Sequence, residues 1–455
     1  MTALKTAVIV LVFWAILALA AIFQPEALSV AWPEWRDGFL AAALWGVNLL
    51  ILIYGIGGPF HLGRMPMISA VFSLAMTIVG TGSYRITQLL NPNYHVPIEL
   101  AAVLVALCTG VSLATCALIQ FLLGPLRGGP RLTLKWDWAW LRVITVAITV
   151  LVVIATVMSL RRIGYIPAIT GDPTSERVEF PAIAGIWFRL SAIGGVSVLM
   201  AAVLVTARRA SGWTWLAGLV SLTCLGVYGA RFYVVYPLAV SLVLWDLVRR
   251  RIRLLHLGVV MVPITIVLAL LGALRQNSSS IERVSPLGAA LYGSFLEFRD
   301  LAWAMDYFGA GDRFTHGSTF PGVVVPLLPG KLWSVFGVDK DALFENNSAN
   351  VMAAAMGTDT GQRIGLYGEF FMNFGWWGSL VGALLYGILV AWIDRRTPGL
   401  DPGMVPAVFV AMIAVAAIFA QIGQLNMFTS TITGLAYPLL LVVLVASRRS
   451  LPEFA

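Results

Sequence analysis

Apolar runs of 17 or more residues recur along the chain, separated by short polar segments rich in arginine, glycine and proline. The hydrocarbon core of a bilayer takes roughly 17–25 residues of helix, so each run predicts a membrane-spanning helix. Twelve such windows fall near 6–23, 39–58, 66–83, 98–123, 139–160, 182–206, 213–230, 232–248, 257–274, 375–393, 404–422 and 430–446. The first is long and has no small-residue cleavage site, so it reads as a span and not as a cleaved signal. Only Arg231 separates the seventh window from the eighth. They form either a tight hairpin or two short, bent helices.

Between the ninth and tenth windows the pattern changes. Residues 275–374 carry Arg275, Arg283, Arg299, Arg313, His316, Arg363 and Glu369 and make one large loop. The chain thus divides into spans 1–9 (1–274), the loop (275–374) and spans 10–12 (375–455). Inside the loop, Ser285-Pro286 predicts a helix start, since serine caps and proline suits the first helical position. Leu287, Leu291, Phe295, Phe298, Leu301 or Ala302, Met305 and Phe308 then recur at intervals of three and four, which predicts an amphipathic helix. Glu297, Asp300 and Asp306 fall elsewhere on it, and Gly309-Ala310-Gly311 ends it. That helix lies on the membrane surface or on the other spans. Ser318 to Val338 is apolar, but Pro321, Pro326 and Pro329 exclude a regular span. It predicts irregular backbone that dips into the interface or caps a cavity.

Composition agrees: 59% of the 455 residues are hydrophobic, only 11% are charged and mean hydropathy is +0.87. The expected fold is therefore all-α, a polytopic membrane bundle of about 12 helices with one large extracytoplasmic loop containing an amphipathic helix. Cys108, Cys116 and Cys224 sit in apolar runs as packing residues, without metal or disulfide spacing. A net charge of +8 points to an orientation signal and an anionic substrate, with no nucleic acid partner. Lys5, Arg64, Arg127, Arg131, Lys135, Arg208, Arg209, Arg249–Arg253, Arg395, Arg396, Arg448 and Arg449 fall in alternate segments. The positive-inside rule makes that face cytoplasmic. Both termini are then cytoplasmic and the large loop lies outside. Arg161 and Arg162 run against the rule.

Gly361-Gln362-Arg363-Ile364-Gly365-Leu366-Tyr367-Gly368-Glu369, continuing through Asn373-Phe374-Gly375-Trp376-Trp377-Gly378 into a span, resembles the close of the periplasmic loop in bacterial O-antigen polymerases of the Wzy type. Leu328-Pro329-Gly330-Lys331-Leu332-Trp333 and Gly229-Ala230-Arg231 are similar to other parts of that family. The resemblance covers the topology and roughly residues 229–378. It implies a GT-C-type glycosyltransferase of the polysaccharide polymerase and ligase group in the bacterial cytoplasmic membrane. Such an enzyme would join undecaprenyl-diphosphate-linked oligosaccharide repeat units, without a nucleotide sugar or other cofactor, beside a chain-length regulator protein. Related ligases use a histidine near the last loop span, whereas Arg363 stands at the matching stretch here.

The leaving lipid diphosphate departs without a proton and needs positive charge where water is scarce. Arginine supplies it, with bidentate grip on phosphate oxygens. Arg231, between two apolar spans, Arg275, at the outer end of span nine, and Arg363 are the candidates, with Arg299 and Tyr367 as further substrate contacts. Each arginine has a plainer reading as an interfacial or solvated charge. A base must take the proton of the attacking sugar hydroxyl. Glu369, six residues after Arg363, is the first candidate, and His316 is its rival because neutral imidazole accepts protons near neutral pH. Asp339-Lys340-Asp341 has the form of a metal-holding Asp-x-Asp, but three residues of a polar loop reach it by chance, and no metal site is expected. A ligase acting on a lipid or protein acceptor is the nearest alternative. A lipid-glycan transporter is the next, although no inverted repeat is visible.

Overall fold

The computed structural model describes residues 35–56, 64–90, 95–124, 133–167, 180–228, 231–249, 296–310, 313–328, 330–357, 363–397, 400–401 and 403–450. In chain order its elements begin with helices α1 (Trp35–Leu50, running into a π-helical turn, Ile51–Ile56), α2 (Met65–Leu90) and α3 (Ile98–Leu123). Strand β1 (Thr133–Trp136) precedes α4 (Trp138–Ile163), α5 (Phe180–Ile183), α6 (Ile186–Ala192), α7 (Gly194–Thr206), α8 (Gly212–Gly226) and α9 (Arg231–Arg249). Then come α10 (Leu296–Gly309), α11 (Phe320–Val324), α12 (Gly330–Val335), α13 (Lys340–Glu345) and α14 (Ser348–Met356). Helices α15 (Gly365–Arg396), α16 (Val405–Ile422) and α17 (Leu425–Ala446) and strand β2 (Ser447–Ser450) complete the chain.

The described residues are mostly helical (84%), consistent with an all-α membrane bundle. Six described helices are long and apolar enough to cross a membrane: α3, α4, the α6–α7 stretch, α15, α16 and α17. Ten of the twelve expected windows overlap described helices, with 57–58 and 229–230 outside the described residues, as are the whole windows 6–23 and 257–274. The 182–206 window is divided at Gly185, whose φ of +58° no ordinary helix contains, and again at Ile193. The 213–230 and 232–248 windows become α8 and α9, two helices packed on each other and on α7. Asp137 caps α4 by accepting from Ala139 N (3.1 Å) and Trp140 N (3.4 Å), and Gly164 ends it in the left-handed region. Arg161 and Arg162 occupy its last turn, where cations offset the carbonyl end of the helix dipole.

Among the described residues, contacts divide the chain into two compact units. The first falls within Met1–Leu126, Ile252–Arg395 and Ala417–Thr429, the second within Arg127–Arg251, Arg396–Ala416 and Ser430–Ala455. In the second unit, β1 pairs antiparallel with β2, Lys135 opposite Arg448, and Lys135 also bridges to Met404. No apolar alternation announces these strands. They join three short segments that the charge bias assigns to one face.

In the first unit, α10 packs on α2 and α3. Phe298, Leu301, Ala302, Met305 and Phe308 are all buried, so the expected face exists and lies on other helices. Gly80 leaves room for the Phe298 ring where any Cβ would collide with it. The first part of the expected helix, with Ser285-Pro286, Leu287 and Leu291, lies outside the described residues. The helix ends at Gly309 as expected. The proline-containing segment is a chain of short helices, α11, a 3-10 turn at Val325–Leu327, and α12, and not a span.

Helix α15 is broken. Phe374 (φ −144°) and Gly375 (φ +63°, ψ −150°) interrupt it, and the chain reverses there. Tyr367 and Tyr386 are 19 residues apart, which a straight helix would separate by roughly 28 Å. Their ring centroids lie 6.3 Å apart. Ser379 Oγ donates to the Tyr367 carbonyl (2.9 Å), and Gly382 accommodates the Phe370 ring. The head of α15, Gly365 to Asn373, therefore folds back along its body. The expected boundary between loop and span at 374/375 coincides with this turn, but the helical character of the head is new.

Candidate functional site

The head of α15 organises the polar residues of the first unit. At its start, Arg363 N donates to Asp300 Oδ2 (3.4 Å) and Arg363 Nη1 lies 3.5 Å from Glu297 Oε1. Asp300 also pairs with Arg299 at 3.3 Å. Two arginines and two carboxylates thus meet where α10 passes the head. The Arg363 side chain is 56% exposed, whereas that of Arg299 is 14% exposed. An incoming anion would meet Arg363 first. Burial raises the Asp300 carboxyl to about 6, outweighing the attraction of Arg299. Burial raises Glu297 too, with Arg363 pulling the other way.

One turn further along, Tyr367 is enclosed. Its hydroxyl lies 3.3 Å from Ser112 Oγ and accepts from Gln421 Nε2 at 3.4 Å, while Tyr386 donates to Gln421 Oε1 at 2.9 Å. Ser69 Oγ donates to the same Gln421 oxygen at 3.1 Å. This is a buried polar knot that joins α2, α3, α15 and α16, and it keeps Tyr367 inside the protein. Buried polar side chains between apolar helices act as such glue when they are satisfied.

Glu369 is buried, at 1% exposure. Its Oε2 accepts from Leu425 N (3.0 Å), the first residue of α17, where a carboxylate suits the amide end of the helix. Ser348 interacts with the same carboxyl, yet neither Ser348 Oγ nor Glu369 Oε1 completes a hydrogen bond among the described residues. Asn347, beside Ser348, caps α14 by accepting from Asn350 N (3.0 Å).

At the end of the head, Asn373 fastens the turn that carries His316. Thr315 N donates to Met372 O (3.0 Å) and His316 N to Asn373 O (3.2 Å), carbonyls that a continuous helix would have used itself. The Asn373 side chain binds Thr315 Oγ1 (2.6 Å), Gly317 N (2.8 Å), Thr319 Oγ1 (2.8 Å) and Glu369 O (2.8 Å). His316 stands exposed in the left-handed region, at φ +50°.

The structure thus links Arg363 with Arg299 at one end of the head, and Glu369 with His316 through Asn373 toward the other. Tyr367 lies in the core between them. Arg231 begins α9 in the second unit, its side chain outside the described residues, and Arg275 lies wholly outside them. Asp339 caps α13 by accepting from Ala342 N (3.3 Å), so the first carboxylate of the Asp-x-Asp holds a helix start. Asn373, seen in the sequence only as part of the polymerase-like motif, and Gln421 were given no role there. A polar residue two positions before the glycine of a helix break was the available sign for Asn373, while Gln421 had only its place at the end of an apolar run. No family model, no curated protein and no solved structure matches the chain.

Proposed function

We propose that the chain is a glycosyltransferase of the bacterial cytoplasmic membrane that joins undecaprenyl-diphosphate-linked oligosaccharide repeat units on the outer face. The reading takes twelve spans, both termini in the cytoplasm and the 275–374 loop outside. The observation that carries it is the folded-back head of α15, with a solvent-facing arginine at its start and an exposed imidazole docked at its end. Gly365 and Asn373 are separated by roughly 12 Å of helix, short enough for one extended ligand to touch both ends.

In the reaction, the acceptor sugar hydroxyl attacks the anomeric carbon of the donor. The bond from that carbon to the diphosphate oxygen breaks, and the lipid diphosphate leaves with the electron pair. Arg363, with Arg299 behind it, meets the negative charge that develops on the phosphate. His316 accepts the hydroxyl proton. Its exposure favours it over Glu369, which is walled off and engaged with the start of α17. No metal or cofactor enters the scheme.

The test is purified protein supplied with lipid diphosphate-linked repeat units, with the product read as a glycan ladder. A ladder is expected, slowed about 100-fold by His316→Ala and about 100-fold or more by Arg363→Ala. Arg231→Ala and Arg275→Ala belong in the same series. A ladder untouched by both Arg363→Ala and His316→Ala would remove this site. Single addition without a ladder assigns a ligase. Movement of intact lipid-linked glycan between leaflets with no new bond assigns a transporter.

A further inference from the structure

Asn373 is fully buried, and every hydrogen-bonding position of its carboxamide is occupied. An amide oxygen has two acceptor sites and an amide nitrogen two hydrogens. Here Oδ1 accepts from Thr315 Oγ1 and Gly317 N, the residues immediately before and after His316. The nitrogen donates to Thr319 Oγ1 and to the carbonyl of Glu369. One side chain therefore ties both flanks of the His316 turn to the head of α15.

The turn requires such a restraint. His316 (φ +50°) and Gly317 (φ +88°) are consecutive left-handed residues, and a non-glycine residue holds that conformation only where its surroundings over-determine it. The imidazole is exposed, so little packing directs it, and its direction follows from the backbone beneath. The restraint exists because α15 breaks directly after Asn373. The break frees the carbonyls of Met372 and Asn373 to receive Thr315 N and His316 N.

We propose that Asn373 is a positioning residue of this site, acting through His316 by locking the Thr315–Thr319 turn onto the broken end of the α15 head. The inference rests on His316 as the base. It predicts a loss in turnover without a matching loss in substrate affinity, because Asn373 lies behind the turn and out of reach of substrate.

The experiment is a double-mutant cycle on ladder formation. Asn373→Ala lowers kcat about 10- to 100-fold, as expected for a misplaced catalytic group, with KM changed less than about twofold. Thr315→Val, which deletes one hydroxyl of the clamp, lowers kcat in the same way, and Thr315→Ser restores it. The double variant His316→Ala/Asn373→Ala is no slower than His316→Ala within about twofold, the non-additivity of two residues acting as one. If Asn373→Ala fails to fold, Thr315→Val takes its place in the cycle. Additive losses beside a slow His316→Ala would overturn the positioning role and leave the base in place. A His316→Ala enzyme at the wild-type rate would overturn the base itself, and the positioning role with it.

Discussion

Asp300 shows how little the charge of a residue says about its setting. It belongs to the helix face that the apolar pattern leaves polar, yet it is 2% exposed, held between Arg299 and the Arg363 amide. Burial lifts its carboxyl from 3.8 to about 6, so the folded state holds that proton more tightly than the unfolded chain does. A displacement of that size is worth about 3 kcal/mol. The sign follows from linkage: the contribution is complete below pH 3.8 and is lost as pH rises through 6. Thermal stability in detergent is therefore expected to fall between about pH 4 and 6, and Asp300→Asn should flatten that slope. A slope unchanged in the variant would mean that Arg299 holds the carboxylate ionised in spite of burial. The same titration bears on ligand binding. Below pH 6 the cluster of Arg299, Arg363, Glu297 and Asp300 becomes more positive, which suits a diphosphate.

The decisive element is the broken α15, and its break depends on Gly375. With φ +63° and ψ −150° this residue occupies a region open essentially to glycine, and a Cβ there would meet the Phe314 ring at 3.1 Å. Gly375→Ala is expected to cost about 1–3 kcal/mol of stability, seen as a lowered melting temperature, and to slow turnover by releasing the His316 turn. A variant as stable and as active as the parent would show that the break tolerates a side chain. The sequence made the boundary visible, since Phe374-Gly375 closes the polar loop and opens an apolar run. It did not reveal that the nine residues before Phe374-Gly375 form a helix folded back on the span, because no periodicity separates such a head from a loop. The amphipathic face of α10 was legible from spacing, and Phe298 to Phe308 bury as that spacing requires. The burial of Glu369 and Tyr367 was not, because it arises from Leu425, Ser112 and Gln421, distant in sequence. Strands β1 and β2 escaped for the same reason: each is short, and its partner lies at the far end of the chain.

At the scale of the whole molecule, many arginines that produce the positive charge are engaged at helix ends. Arg395 donates to the carbonyls of Gly124 (2.8 Å) and Leu123 (3.2 Å) at the end of α3, and Arg64 pairs with Asp394 at 3.2 Å. In the second unit Arg249 donates to Thr206 O (2.6 Å) at the end of α7, and Arg142 to Arg209 O (2.8 Å). Within each unit, segments that the charge bias groups on one side thus come together, and their cations also cap carbonyl ends. Arg161 and Arg162 make the one conflict with that bias, and their place in the last turn of α4 gives them a local reason to be there. Single-cysteine labelling in intact cells with a membrane-impermeant maleimide decides the orientation. Ser318→Cys, in the His316 turn, should react from outside, and Arg209→Cys, at an exposed connection, only after permeabilisation. The background is small, because Cys108 and Cys116 are buried and Cys224 is half-buried. Labelling of position 209 alone in intact cells would invert the molecule. It would also place the α15 head and its arginine on the side where a lipid-linked glycan made in the cytoplasm begins, and the polymerase reading would yield to one that acts before export.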